Sequence, residues 1–137
     1  MDLGLVHMPL YTGLFAAALI ILQIVLMGLV IAQRGKLNVL IGTAGDDAME
    51  KSVRTHANLI ENAPMFLIGL ALIELIVGGN LWVLVLGCVF VVARISHAIG
   101  LSASSGITPW RFIGTIGSMI PTLVAAGYLI YLVLGRI

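Results

Sequence analysis

Three short patterns place chemically capable side chains inside otherwise apolar stretches of the sequence. The densest is Arg54-Thr-His56-Ala-Asn58-Leu-Ile-Glu61-Asn62-Ala-Pro64. On a helix advancing about 100° per residue, Arg54, Asn58 and Glu61 fall within about 60° of one another, while His56 points to another face. Arg94-x-x-His97 puts a guanidinium and an imidazole one turn apart. Arg111, Thr115, Ser118 and Thr122 form a polar stripe along a third apolar segment. Guanidinium forks suit carboxylates, and an amide at Asn58 can both donate and accept. Glu61 is the one acid among these residues and cannot satisfy several arginines, so the surplus positive charge suits an anionic ligand. An arginine at the centre of a spanning segment costs at least about 2.5 kcal/mol, so Arg94 needs a partner, and Glu61 is the expected one. A purely structural alternative has Arg54, Glu61 and Arg94 as a polar knot fixing helix register. In that alternative Thr115, Ser118 and Thr122 bond back to helix carbonyls. The sequence has no Ser/His/Asp arrangement, HExxH, CxxC, Gly-rich phosphate loop or metal-ligand spacing, so any catalysis would use the ligand's own reactive atom. The lone Cys88 stands in an apolar run and is expected to be a buried thiol.

The elements that must carry these side chains follow from composition. Of 137 residues, 61% are hydrophobic and 9% are charged, and the mean hydropathy is +1.16. Too little charge is present to cover a water-facing domain, so lipid is the expected solvent. A net charge of +1 with no basic run gives no footprint for nucleic acid. The N-terminus lacks a basic region and a small-residue cleavage site, so the first apolar segment is expected to be retained.

Four helices in a single domain over residues 1–137 are expected, at about residues 9–33, 47–77, 81–100 and 109–134. Pro9 and Gly35 bracket the first, which also carries Gly13-x-x-x-Ala17, a pattern that admits a close neighbouring helix. The polar connection after it contains Val39-Leu40-Ile41, which is too short to span and is expected at the membrane interface. Asp47-x-x-Glu50 resembles a capped start of the second helix. That helix is about 45 Å long at 1.5 Å per residue, more than a core of about 30 Å needs, so one end projects beyond it. Pro64 is expected to kink it just after Glu61. Glu74, near its far end, is expected to reach outward or pair locally. Asn80 caps the third helix, Thr108-Pro109 starts the fourth, and residues 101–107 form a Ser- and Gly-rich loop. Trp110, Tyr128 and Tyr131 suit interfacial anchors. Arg34, Lys36, Lys51, Arg54, Arg94 and Arg111 fall at one end of the helices and Arg136 at the other. By the positive-inside rule the first and third connections lie in the cytoplasm and both termini outside, in an integral multi-pass membrane protein.

With the helices in place, Arg54-x-His56-x-Asn58-x-x-Glu61-x-x-Pro64, Arg94-x-x-His97 and Pro109-Trp110-Arg111 together resemble the MAPEG family, membrane-associated proteins in eicosanoid and glutathione metabolism. The resemblance covers essentially the whole chain. It implies an all-α, four-transmembrane-helix bundle that forms a homotrimer, with glutathione as cosubstrate between neighbouring subunits near the cytoplasmic face. It also implies that Asn58 and Glu61 hold the polar backbone of glutathione. Arg34, Arg54, Arg94 and Arg111 would supply positive charge, and His97 would line the pocket. Arg111, with Thr115 as hydroxyl donor, would favour the thiolate that attacks a hydrophobic small-molecule electrophile. The chain departs from eicosanoid-handling members at four positions. Ala57 stands where they have arginine, Leu101 where they have tyrosine, and Phe112 and Thr115 where they have serine and tyrosine. The pattern fits a generic bacterial-type member, either a glutathione transferase or a non-catalytic scaffold or lipid-binding protein that keeps the fold. A small proton-coupled exporter would need a mid-membrane carboxylate, and the first helix has none.

Overall fold

The structure is a computed structural model that describes residues 6–104 and 106–137. Its four helices are α1 (Leu10–Leu37), α2 (Asp47–Val77), α3 (Leu81–Ala103) and α4 (Pro109–Leu134). All four are long and apolar enough to cross a membrane, and their surfaces carry many exposed Leu, Ile, Val and Met side chains. The α2–α3 pair forms the centre. Each of α1 and α4 packs on this pair, and the two do not touch one another. Phe66 and Phe90 stack at the heart of the core with ring centroids 3.9 Å apart, flanked by fully buried Leu70, Ile73 and Val83.

Local chemistry explains where each helix begins and ends. Asn80 Oδ1 accepts from the amides of Trp82 (2.9 Å) and Val83 (3.2 Å). Thr108 Oγ1 accepts from Arg111 N, with Pro109 opening the first turn of α4. The cap of α2 is Asp46 rather than Asp47. Its Oδ1 accepts from Met49 N at 2.8 Å, and Asp47 pairs with Lys51 one turn on. The first helix continues a turn past the expected stop. Gly35 stays helical, and the left-handed residue that ends the helix is Asn38 at φ 53°. The third helix runs on to Ala103, because Leu101-Ser102-Ala103 contains no breaker. Residue 105, in the loop that follows, lies outside the described residues. The second helix is unbroken through Pro64.

Glu74 is the largest departure from expectation. It neither reaches outward nor pairs locally, and it is 1% exposed. Its Oε1 accepts from Tyr11 N at 2.9 Å, and its Oε2 accepts from Thr12 N at 2.8 Å and Thr12 Oγ1 at 2.7 Å. Pro9 offers no side-chain cap, so the unpaired amides of the first turn of α1 are satisfied by a carboxylate from α2.

Close helix approach occurs at other glycines than Gly13, which has no neighbour within 4 Å of where a Cβ would stand. The Phe15 ring lies over Gly87, where a Cβ would come within 1.9 Å of it. A Cβ on Gly114 would meet His97 N at 2.5 Å, and one on Gly100 would meet Arg111 N at 2.5 Å. These two glycines hold α4 hard against the end of α3. Cys88 is exposed on the outer surface of α3 rather than buried, because its neighbour Gly87 takes the inward position.

Candidate functional site

The buried residues of α2, Thr55, Leu59, Ala63, Phe66 and Leu70, define its inward face. At about 100° per residue that face is centred about 140° round the helix from Arg54. Asn58 stands about 100° from the centre of the face, on its flank, and Glu61 about 160° from it, on the outside. The packing follows this division. Glu61 is exposed and lies 4.0 Å from the equally exposed Arg54, and it does not reach Arg94. Depth along the bundle matches Glu61 to Arg94, but the two side chains leave their helices in different directions.

Arg94 is 4% exposed and finds neutral partners. Its Nη1 donates to Asn58 Oδ1 at 2.8 Å, and its Nη2 donates to Gly114 O at 3.0 Å and to Ser118 Oγ. Its guanidinium carbon lies 5.8 Å from the centre of the Phe90 ring. Among the described residues no carboxylate oxygen lies within 4 Å of it. This replaces the expected Glu61–Arg94 pair, and the polar knot built on that pair, with a network that joins α2, α3 and α4.

In front of this network lies a cavity of about 180 Å³ lined by Glu50, Lys51, Arg54, Asn58, His97, Leu101 and Arg111. The first turns of α2 supply the first four of these, the last turns of α3 supply His97 and Leu101, and the start of α4 supplies Arg111. Gly100 and Gly114 permit the approach that sets Arg111 beside His97, and Ser96 Oγ donates to Trp110 O at 2.9 Å across the same junction. The wall thus carries three cationic side chains and one carboxylate, with an amide and an imidazole between them, and from outside the wall Asp47 pairs with Lys51 and Glu61 lies 4.0 Å from Arg54. Such a wall attracts anions.

The expected site residues divide into two groups. Arg54, Asn58, His97 and Arg111 meet around the cavity. Arg94 stands behind Asn58, and Glu61 lies outside on α2. Arg34 turns to the connection after α1, where its Nη1 donates to Leu40 O at 2.8 Å and Gly42 O at 3.3 Å. Thr115 donates its hydroxyl to Arg111 O at 2.9 Å, and Thr122 donates to Ser118 O at 2.7 Å, as the structural alternative expects of these residues. Phe112 is 61% exposed and off the cavity wall. The sequence reading did not include Glu50 and Lys51 among the site residues. The signal that could have found them is their spacing, since Glu50, Arg54 and Asn58 succeed one another at four-residue intervals along one stripe. No group of three or more His, Cys, Asp or Glu side chains able to hold a metal comes together among the described residues.

A sequence model of the MAPEG family matches residues 12–131, which includes all but the first two residues of α1 and the last three of α4. No curated protein matches the chain.

Proposed function

Because the chain belongs to the MAPEG family, we propose that its basic cavity binds glutathione, or a similar anionic thiol, and joins it to hydrophobic electrophiles. The observation that carries this reading is the convergence of Lys51, Arg54 and Arg111 on one cavity wall with Asn58 and His97. Behind that wall stands the Arg94 guanidinium, which no carboxylate among the described residues neutralises. Glutathione brings two carboxylates for the cations and one ammonium, for which Glu50 is an acceptor on the same wall. Nearby cations favour the thiolate, and the thiolate is the nucleophile. In the reaction the thiol proton passes to water and the sulfur–carbon bond forms. The leaving group departs with the electron pair of the bond that breaks.

The cavity supports a site completed by a second copy of the chain. At about 180 Å³ it is smaller than the roughly 300–1,000 Å³ usual for small-molecule sites. The Arg54–Glu61 pair beside it lies open on the outer face of α2. A homotrimer would cover that pair and let Glu61 face the ligand from the subunit boundary. The basic end of the bundle would lie in the cytoplasm, where the ligand is dissolved, and hydrophobic electrophiles would enter from the bilayer.

One observation favours a second reading, a non-catalytic lipid-binding or scaffold protein. Among the described residues no hydroxyl side chain lines the cavity, and that of Thr115 is spent on the Arg111 carbonyl. In this reading the cations hold an anionic lipid headgroup.

Titrating glutathione into detergent-solubilised protein, with thiolate absorbance followed in parallel, tests both. The proposed function predicts saturable binding below millimolar concentration, weakened about tenfold or more by Arg111→Ala, as expected for loss of a charge-assisted contact. Absence of saturation, or indifference to Arg111→Ala, contradicts it. Co-purifying anionic lipid that glutathione does not displace supports the second reading.

A further inference from the structure

We infer that Arg94 is a positioning residue, which fixes the side-chain amide of Asn58 so that its NH2 group faces the cavity as a donor to an anionic ligand. The inference rests on the proposed ligand for what the donor does, and on geometry alone for where the donor points. A guanidinium has donors and no acceptor. The Asn58 atom 2.8 Å from Arg94 Nη1 must therefore be the carbonyl oxygen. The flipped amide would set two donors against each other at that distance. With Oδ1 held on the Arg94 side, Nδ2 lies on the opposite edge of the planar amide. Asn58 accepts at its backbone O and at Oδ1, Nδ2 donates to no described residue, and Asn58 itself lines the cavity.

The arginine is held firmly enough to impose this choice. Its Nη2 donates to Gly114 O and to Ser118 Oγ, and Ser118 in turn donates to Gly114 O at 2.6 Å. Phe90 lies within 5.8 Å of the guanidinium carbon. Elements α3 and α4 thereby lock a group that orients a side chain of α2. The buried Arg94 Nε has no partner among the described residues, so the arginine retains a cost in burial that its placement alone does not remove. Arg94 does not line the cavity and acts on the ligand through Asn58.

The test is a double-mutant cycle on glutathione affinity in the full-length protein, using Arg94→Lys and Asn58→Ala. Lysine keeps the charge but loses the fork that holds Asn58 and α4 together. Arg94→Lys is expected to weaken glutathione about fivefold in the otherwise unaltered protein and less than about twofold in the Asn58→Ala background, since residues acting as a unit are not additive. Equal losses in both backgrounds overturn the inference, because a direct ligand contact or a general structural defect would give that result. If Arg94→Lys does not fold, Ser118→Ala removes one anchor of the guanidinium, and the same non-additivity with Asn58→Ala is expected. The nitrogen-15 signal of the Asn58 side-chain amide in micelles provides a readout that needs no ligand. It is expected as one sharp pair of proton correlations that shifts or broadens with Arg94→Lys or Ser118→Ala, and an unchanged signal overturns the inference. Failure of the unaltered protein to bind glutathione would refute the proposed ligand, and the amide signal would still decide the role of Arg94.

Discussion

Replacing Glu74 by glutamine changes one atom type and should nevertheless be among the most damaging substitutions in the chain. The carboxylate accepts three hydrogen bonds, from Tyr11 N, Thr12 N and Thr12 Oγ1, at 2.7–2.9 Å, and it is shut away from solvent. Glutamine retains one carbonyl oxygen, which can serve one oxygen's share of those donors. Its NH2 group then faces the amide hydrogen that the other oxygen served, so one or two charge-assisted bonds are lost and a buried N–H is left unpaired. At about 1.5–3 kcal/mol for each hydrogen bond to a charged group, the loss is about 1.5–6 kcal/mol. Total stabilities are about 5–15 kcal/mol, so a large fraction of the fold's margin depends on this carboxylate. Thr12→Val removes only one of the three donors and should cost about 1–2 kcal/mol. Equilibrium unfolding in mixed micelles, followed by circular dichroism, measures both. Asn58 lies sixteen residues from Glu74, about 24 Å along the helix, so the fraction of Glu74→Gln protein that folds should bind glutathione with unaltered affinity. A Glu74→Gln loss below about 1 kcal/mol would refute the assignment of this residue as the cap of α1.

Three other perturbations probe the site end. Gly114→Ala forces a Cβ to within 2.5 Å of His97 N and 2.7 Å of Ala93 O. Backbone atoms cannot step aside, so α4 must move outward at a cost of about 1–3 kcal/mol, and a lowered unfolding temperature together with weaker glutathione binding is expected. Asn58→Asp places a carboxylate against Arg94 and should raise stability by about 1–3 kcal/mol, since it neutralises a buried charge that has only neutral partners. The same change removes the cavity's amide donor, so glutathione binding should fall while the unfolding temperature rises. Raising ionic strength from 0.1 to 1 M shortens the screening length from about 10 to about 3 Å. Glutathione affinity should drop several-fold, and a salt-independent constant would argue against capture by Lys51, Arg54 and Arg111.

Much of this architecture can be read from the sequence, because helix starts are local events. Asn80 and Thr108-Pro109 each satisfy backbone amides two or three residues away, and the residues that do so are adjacent in the chain. Where two equivalent residues stood side by side, as at Asp46 and Asp47, only the folded backbone decides which one caps. The family membership is legible for a different reason, since the Arg54–Pro64, Arg94-x-x-His97 and Pro109–Arg111 patterns extend over three helices. The contacts between helices are less legible. Counting residues gives depth, and depth alone matched Arg94 to Glu61. The direction in which each side chain leaves its helix depends on which face of α2 is buried, and that face becomes evident only when Thr55, Leu59, Ala63 and Phe66 are seen packed inward. Glu74 was misjudged for a similar reason. Its partners are amides of another helix 62 and 63 residues away in the chain, and a backbone amide has no signature in the sequence.

A structure of the protein in its native assembly, solved with glutathione, measures most directly where an anionic thiol sits. Elongated density is predicted in the cavity between Arg54 and Arg111, with a carboxylate against their guanidinium groups, the Asn58 NH2 donating to it, and a second copy of the chain closing the open side. An empty cavity at saturating glutathione, or one filled by a lipid headgroup that glutathione does not displace, would contradict it.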